Sequence, residues 1–185
     1  MNEVLLKTLH DLEETQKQFW NISKVTGNFL NMLVKMNNSK QILEIGTSNG
    51  YSGLWFLEAL QYTGGYFTTI EFHEQRRLPA IENFIKCGFA GKFRLLQGKA
   101  CEIIESMPED EMFDFVFIDA NKEEYVKDLE LIKSHLLPNA VIAADNVNSH
   151  REKVKPFLEK IYTDGDFQTE IINLPDGLSL SYKLN

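Results

Sequence analysis

Phe113-Asp114-Phe115-Val116-Phe117-Ile118-Asp119 is the stretch that decides the fold. Successive side chains of a strand point to opposite faces, so the apolar run from Phe115 to Ile118 is hydrophobic on both. A strand of that kind must be covered twice, which places it in the middle of a parallel sheet layered between helices. Working outward, apolar runs of similar length recur at Gln41–Ile45, Tyr66–Glu71, Phe93–Gln97 and Ala140–Asp145. Between and after them lie segments of helical period, at Ser52–Tyr62, Gln75–Cys87, Ala100–Met107, Glu123–Leu136 and Lys153–Tyr162. Strict alternation of this kind predicts an α/β protein with a doubly wound, mostly parallel sheet. The C-terminal part departs from that rhythm: Phe167–Leu174 and Leu178–Leu184 read as strands joined by the turn Pro175-Asp176-Gly177, so a hairpin adds at least one antiparallel strand.

Ahead of this core, residues 3–20 read as an amphipathic helix with Leu5, Leu9, Leu12 and Phe19 on one side. A second helix is expected over Thr26–Lys35, ended by Asn37-Asn38-Ser39. No Pro/Gly/Ser linker divides the chain. The expectation is one domain over residues 1–185, with N-terminal helices (1–38) lying over an α/β core (39–185).

The 185 residues are 43% apolar and 25% charged, an ordinary globular composition. A net charge of −8 offers no basic field to gather nucleic acid, so an RNA or DNA partner is disfavoured. Cys87 and Cys101 are too few for a disulfide framework and read as reduced thiols. Charges at Glu3, Lys7, Asp11, Glu13, Glu14 and Lys17 interrupt any secretion signal, and no stretch is long enough to span a membrane. A soluble cytoplasmic protein is expected, and the apolar side of the first helix suggests a homodimer.

In an open α/β sheet, ligands bind beyond the carboxyl ends of the strands, where strand order reverses. The residues at those ends are Glu44-Ile45-Gly46-Thr47-Ser48-Asn49-Gly50, then Glu71, Gln97-Gly98-Lys99-Ala100, Asp119 and Asp145-Asn146. Ser48 replaces the middle glycine of a dinucleotide fingerprint, and no Lys-Ser/Thr pair makes a phosphate loop. Glu44 before that loop suits a cationic or amino-bearing ligand. Glu71 can accept both hydroxyls of a ribose, so loop and acid together point to an adenosine-containing ligand. Asp119 and Asp145 end neighbouring strands and should repel in one small volume unless a cation sits between them. With the amide oxygen of Asn146 they form an all-oxygen set suited to Mg²⁺, or to Mn²⁺ or Ca²⁺. Zinc is disfavoured, because no His or Cys pair has ligand spacing and His10, His73, His135 and His150 are scattered. Lys122 follows Asp119 by three residues. Beside a cation its ammonium is disfavoured, which makes a general base available.

ILEIGTSNGYSGLWF, TTIE, FDFVFIDANKEEY and AADNV, in this order and spacing, resemble the cation-dependent class I O-methyltransferases, the group of catechol and caffeoyl-CoA O-methyltransferases and their bacterial relatives. DGLSLSYK resembles that family's final strand. The resemblance implies a Rossmann-like methyltransferase fold and bound S-adenosylmethionine. Glu71 would hold the ribose, Glu44, Gly46, Thr47 and Ser52 would surround the methionine moiety, Gly98, Lys99 and Ala100 would edge the adenine beside Asp119, and Ile22 would close over the methionine end. Asp119, Asp145 and Asn146 match the family's metal ligands and Lys122 its base, with Asp119 beside it in the catalytic set. The implied reaction methylates a hydroxyl of a small catechol-like or vicinal-diol acceptor. Two alternatives are a tRNA hydroxyuridine-type O-methyltransferase and a non-catalytic nucleoside-binding protein on a degenerate methyltransferase scaffold. Three departures stand out: Lys99 where relatives carry a small or acidic residue, a short stretch after Asn146, and a trimmed N-terminal region.

Overall fold

The computed structural model describes residues 1–184. Its helices are α1 (Glu3–Glu13), α2 (Gln16–Phe19), α3 (Lys24–Met36), α4 (Tyr51–Thr63), α5 (Glu74–Lys86), α6 (Ala100–Glu105), α7 (Tyr125–Ile132) and α8 (Arg151–Thr163). The strands are β1 (Gln41–Ile45), β2 (Tyr66–Glu71), β3 (Phe93–Gln97), β4 (Phe113–Ile118), β5 (Leu136–Asp145), β6 (Phe167–Ile172) and β7 (Leu178–Lys183). They form one sheet of order β3-β2-β1-β4-β5-β7-β6. β1 to β5 are parallel, and β7 runs antiparallel to both β5 and β6. The strand order reverses between β1 and β4, so the loops after these two strands border the crevice where such sheets bind ligands.

β4 shows why the sheet is central. Phe115, Val116, Phe117 and Ile118 are fully buried, with alternate residues in opposite cores. Phe115 and Phe117 pack at 5.8 and 5.5 Å, centroid to centroid, against Phe56 of α4. Val116 and Ile118 join Leu129 and Ile132 of α7 and Phe157 of α8 on the other face. Each such side chain contributes about 1.5–3 kcal/mol by leaving water, so two covered faces hold β4 in register. Asp114, the polar interruption, accepts from the backbone N–H groups of Lys40 (2.7 Å) and Gln41 (3.0 Å), tying the start of β1 to β4.

The predicted strands and their order of appearance match the structure, and the C-terminal hairpin supplies the antiparallel strand. Three predicted helices are shorter, the one expected over Ala100–Met107 by only two residues, since it ends at Glu105. The helix expected over 3–20 stops at Glu13, because the Thr15 hydroxyl (3.0 Å) and the Asn21 amide (3.0 Å) both donate to the Leu12 carbonyl and end the helical ladder. α2 follows and ends at Trp20 in the left-handed conformation (φ 55°). The helix expected over Glu123–Leu136 runs only over Tyr125–Ile132, because Leu136 already pairs with Phe113 as the start of β5.

Candidate active site

The β1–β2 half of the strand-end edge is closed by its own hydrogen bonds. Glu44 is wholly buried, and its carboxylate accepts from Ser52 Oγ (2.5 Å) and Thr69 Oγ1 (2.6 Å). Burial pushes the Glu44 carboxyl up to about 8 against the two hydroxyls that favour its charge. Thr47, also buried, shares a 2.5 Å hydrogen bond with Thr69, so its hydroxyl turns inward under the loop. Glu71 accepts the N–H of Ser48 on Oε2 (2.8 Å) and that of His73 on Oε1 (2.7 Å). Each oxygen keeps lone-pair capacity for a further donor. Gly46 sits at φ +104°, and a Cβ there would lie 2.2 Å from the Asp119 carbonyl oxygen. The glycine therefore lets the loops after β1 and β4 touch.

Above this loop, Ser48 Oγ donates to the Phe19 carbonyl (3.0 Å), tying the segment before α3 to the crevice. Asn21 is largely buried there, whereas the Ile22 side chain belongs to the hydrophobic core. Gly98 and Ala100 flank the start of α6, which Lys99 caps. The Lys99 ammonium is over half exposed and reaches Glu102 at 3.5 Å, so it faces outward.

The β4–β5 half is different. Asp145, 2% exposed at the end of β5, has an Oδ1 with no hydrogen-bond partner. Burial, reinforced by the neighbouring negative charge of Asp119, pushes its carboxyl up to about 8. Asn146 follows with φ 65°, a left-handed conformation that a non-glycine residue adopts at a local cost. Asp119 Oδ1 lies 2.8 Å from Lys122 Nζ, and both side chains are mostly shielded from water. The turn after β5 is fixed to the β6–β7 hairpin: Val147 N–H donates to the Gly177 carbonyl (3.1 Å), and Asn148 and Ser149 donate to that of Asp176 (3.0 and 3.1 Å). The short stretch after Asn146 is thus a tight, braced turn.

The structure brings Asp119, Lys122, Asp145 and Asn146 to one side of the sequence-predicted site, and Glu44, Thr47, Ser52 and Glu71 to the other. Among the described residues, no three His, Cys, Asp or Glu side chains stand together as a metal cluster. A cation at Asp119 and Asp145 would therefore draw on the Asn146 amide and on water. An all-oxygen set with an orphaned, buried carboxylate oxygen fits a hard divalent ion. Sequence reading missed Thr69, which links Glu44 to Thr47, because a threonine inside a strand carries no signal beyond strand propensity.

The profile of the O-methyltransferase family matches residues 2–184. A catechol O-methyltransferase of Niastella koreensis is 31% identical over 148 residues, which cover 79% of this chain and 66% of that enzyme. Caffeoyl-CoA O-methyltransferase 1 of Arabidopsis thaliana is 33% identical over 153 residues, covering 78% of this chain and 58% of that enzyme. The chain thus spans about two thirds or less of these two relatives. Among solved structures, the O-methyltransferase TomG of Streptomyces achromogenes, in complex with SAM, superposes with a TM-score of 0.87 at 25% identity, covering 100% of this chain and 91% of that one. The O-methyltransferase of Bacillus cereus, in complex with SAH, gives 0.86 at 25% identity over 99% and 91%. No helix among the described residues is long and apolar enough to cross a membrane. By its sequence over nearly its whole length and by its fold, the chain belongs to the O-methyltransferase family.

Proposed function

We propose that the protein transfers a methyl group from S-adenosylmethionine to a hydroxyl of a small catechol-like or vicinal-diol acceptor, assisted by a divalent cation. The observation that carries this reading is the contrast at Asp145. Buried to 2% exposure with one orphaned oxygen and near a second carboxylate, Asp145 holds its charge only at a cost that a bound cation would offset.

S-adenosylmethionine supplies a methyl group on a sulfonium, ready for direct displacement by an oxygen nucleophile. Glu71 holds the ribose hydroxyls with the lone pairs left over from Ser48 and His73. The Gly46–Ser52 loop carries the methionine moiety, with Glu44 beneath it ready to ionise when an ammonium docks above. Gly98, Lys99 and Ala100 border the adenine. Asp119, Asp145 and the Asn146 amide would hold the cation, whose charge would favour the ionised form of the attacking hydroxyl. Lys122 Nζ, 2.8 Å from Asp119 Oδ1, would take the proton from the attacking hydroxyl as the free amine, having first lost its own proton to solvent when the cation binds. Most of the acceleration comes from alignment, because the displacement needs no covalent enzyme intermediate.

The test is transfer of labelled methyl from S-adenosylmethionine to a panel of catechols and aliphatic vicinal diols, with Mg²⁺ and with EDTA. Turnover confined to the Mg²⁺ samples is expected. Turnover indifferent to EDTA removes the cation, and absence of transfer to every diol by protein that binds S-adenosylmethionine in calorimetry removes the acceptor class.

A further inference from the structure

Tyr125 opens α7 and is fully buried, its ring edge-on to Phe157 of α8 at a centroid distance of 5.5 Å. Its hydroxyl lies 3.2 Å from the Ile118 carbonyl and 3.3 Å from the Asp145 carbonyl. These are the last carbonyl of β4, immediately before Asp119, and the last of β5, immediately before Asn146. The phenol hydroxyl thus stands between two strand-end acceptors. The face of the same ring lies 5.7 Å from Lys122 Nζ. Burial and the acids around it hold the phenol well above its usual range, so it remains a neutral donor.

We propose that Tyr125 is a positioning residue for the cation and proton-transfer centre: its hydroxyl staples the ends of β4 and β5 together, and its ring supports Lys122. Three strand-end groups and a lysine in the turn before α7 must face one volume, and the three come from the ends of two neighbouring strands. A single donor reaching both carbonyls fixes the separation of those ends. It also satisfies two buried acceptors, and it stands on a ring that Phe157 prevents from turning. Both carbonyls that the hydroxyl reaches belong to the β4–β5 half, where its influence is expected. This inference rests on the cation-assisted reading above.

The experiment compares wild type with Tyr125→Phe, which keeps the ring and removes only the oxygen. Mn²⁺ binding is read by electron paramagnetic resonance on protein without acceptor, S-adenosylmethionine binding by calorimetry, and steady-state kinetics with an accepted catechol. Tyr125→Phe is expected to weaken Mn²⁺ binding by about tenfold or more. It should lower kcat by a comparable factor and leave both the affinity and the KM for S-adenosylmethionine unchanged. A Mn²⁺ affinity and kcat equal to wild type overturn the proposal, as does an equal loss of Mn²⁺ and S-adenosylmethionine affinity, which marks a general loosening of the fold. Wild-type protein that binds no Mn²⁺ overturns the cation reading instead. The positioning role is then decided by kcat alone, and an unchanged kcat in Tyr125→Phe sinks it.

Discussion

The two halves of the strand-end edge each carry two acids, and they treat them in opposite ways. At β1 and β2 the carboxylates of Glu44 and Glu71 meet four donors from their own chain: Ser52, Thr69 and the N–H groups of Ser48 and His73. At β4 and β5, Asp119 has the single partner Lys122, and Asp145 leaves an oxygen bare in the interior. A buried polar atom without a partner costs about 1–3 kcal/mol, more if it is charged, so the second half is held in a state that the chain alone does not complete. The first half is internally satisfied, whereas the second leaves a buried acceptor open.

Asp145→Asn should break this contrast most visibly. If Asp145 holds the proposed cation, the substitution is expected to reduce methyl transfer by at least about 10²-fold, several kcal/mol of lost charge stabilisation. It also relieves a buried repulsion, so thermal melting without cation or cofactor should show a Tm equal to or above that of wild type. A large fall in Tm would show that Asp145 is structural and that the two halves are alike.

Glu71→Ala probes the satisfied half and should act on both stability and binding. Two loop N–H groups lose their acceptor, at about 1–2 kcal/mol in chemical denaturation. S-adenosylmethionine affinity by calorimetry should fall roughly 10–100-fold if Glu71 holds the ribose as proposed. The Mn²⁺ affinity of this variant should be unchanged. Coupled losses would mean that the two halves are one unit.

Glu44→Gln is the smallest expected effect and is read through pH. The folded carboxyl sits at about 8, above its ordinary 4.5, so the folded state holds this proton more tightly than the unfolded chain. The stabilisation that results is full below about pH 4.5 and lost as pH rises towards 8. Melting curves of the cofactor-free protein should therefore decline from pH 5 to 8, and Glu44→Gln should flatten part of that slope. Asp128, pushed up to about 7 by burial in α7, keeps another part. For a chain of this size each kcal/mol recovered raises Tm by roughly 2–4 °C. A slope identical in the variant would show that Glu44 remains ionised in the fold.

Much of the architecture was legible because its signals are local. The doubly apolar run at Phe115–Ile118, the alternation around it and the Pro175-Asp176-Gly177 turn each report on a few neighbouring residues. Helix ends were less legible, because what stops α1 at Glu13 is the Asn21 amide reaching back to Leu12, a contact across a turn the sequence does not announce. Of the site, the acids at strand ends could be picked out by position alone. Their condition could not. Glu44 and Asp145 look alike as acids closing apolar strands, yet one is saturated and the other bare, and the difference lies in Thr69 and Ser52 on neighbouring elements.

From the sequence alone one could read where the strands lie, that the sheet is mostly parallel with an antiparallel end, and that Asp119 and Asp145-Asn146 stand at strand ends with Lys122 three residues beyond Asp119. Periodicity and strand polarity are properties of short stretches, and they carry over to the folded chain unchanged. The tertiary structure decided which acids are satisfied, that Gly46 is needed for contact between two loops, and that Tyr125 joins the ends of β4 and β5. Hydrogen-bond saturation depends on groups far apart in the chain arriving within about 3 Å of one another, and only the packed sheet and its helices fix such distances.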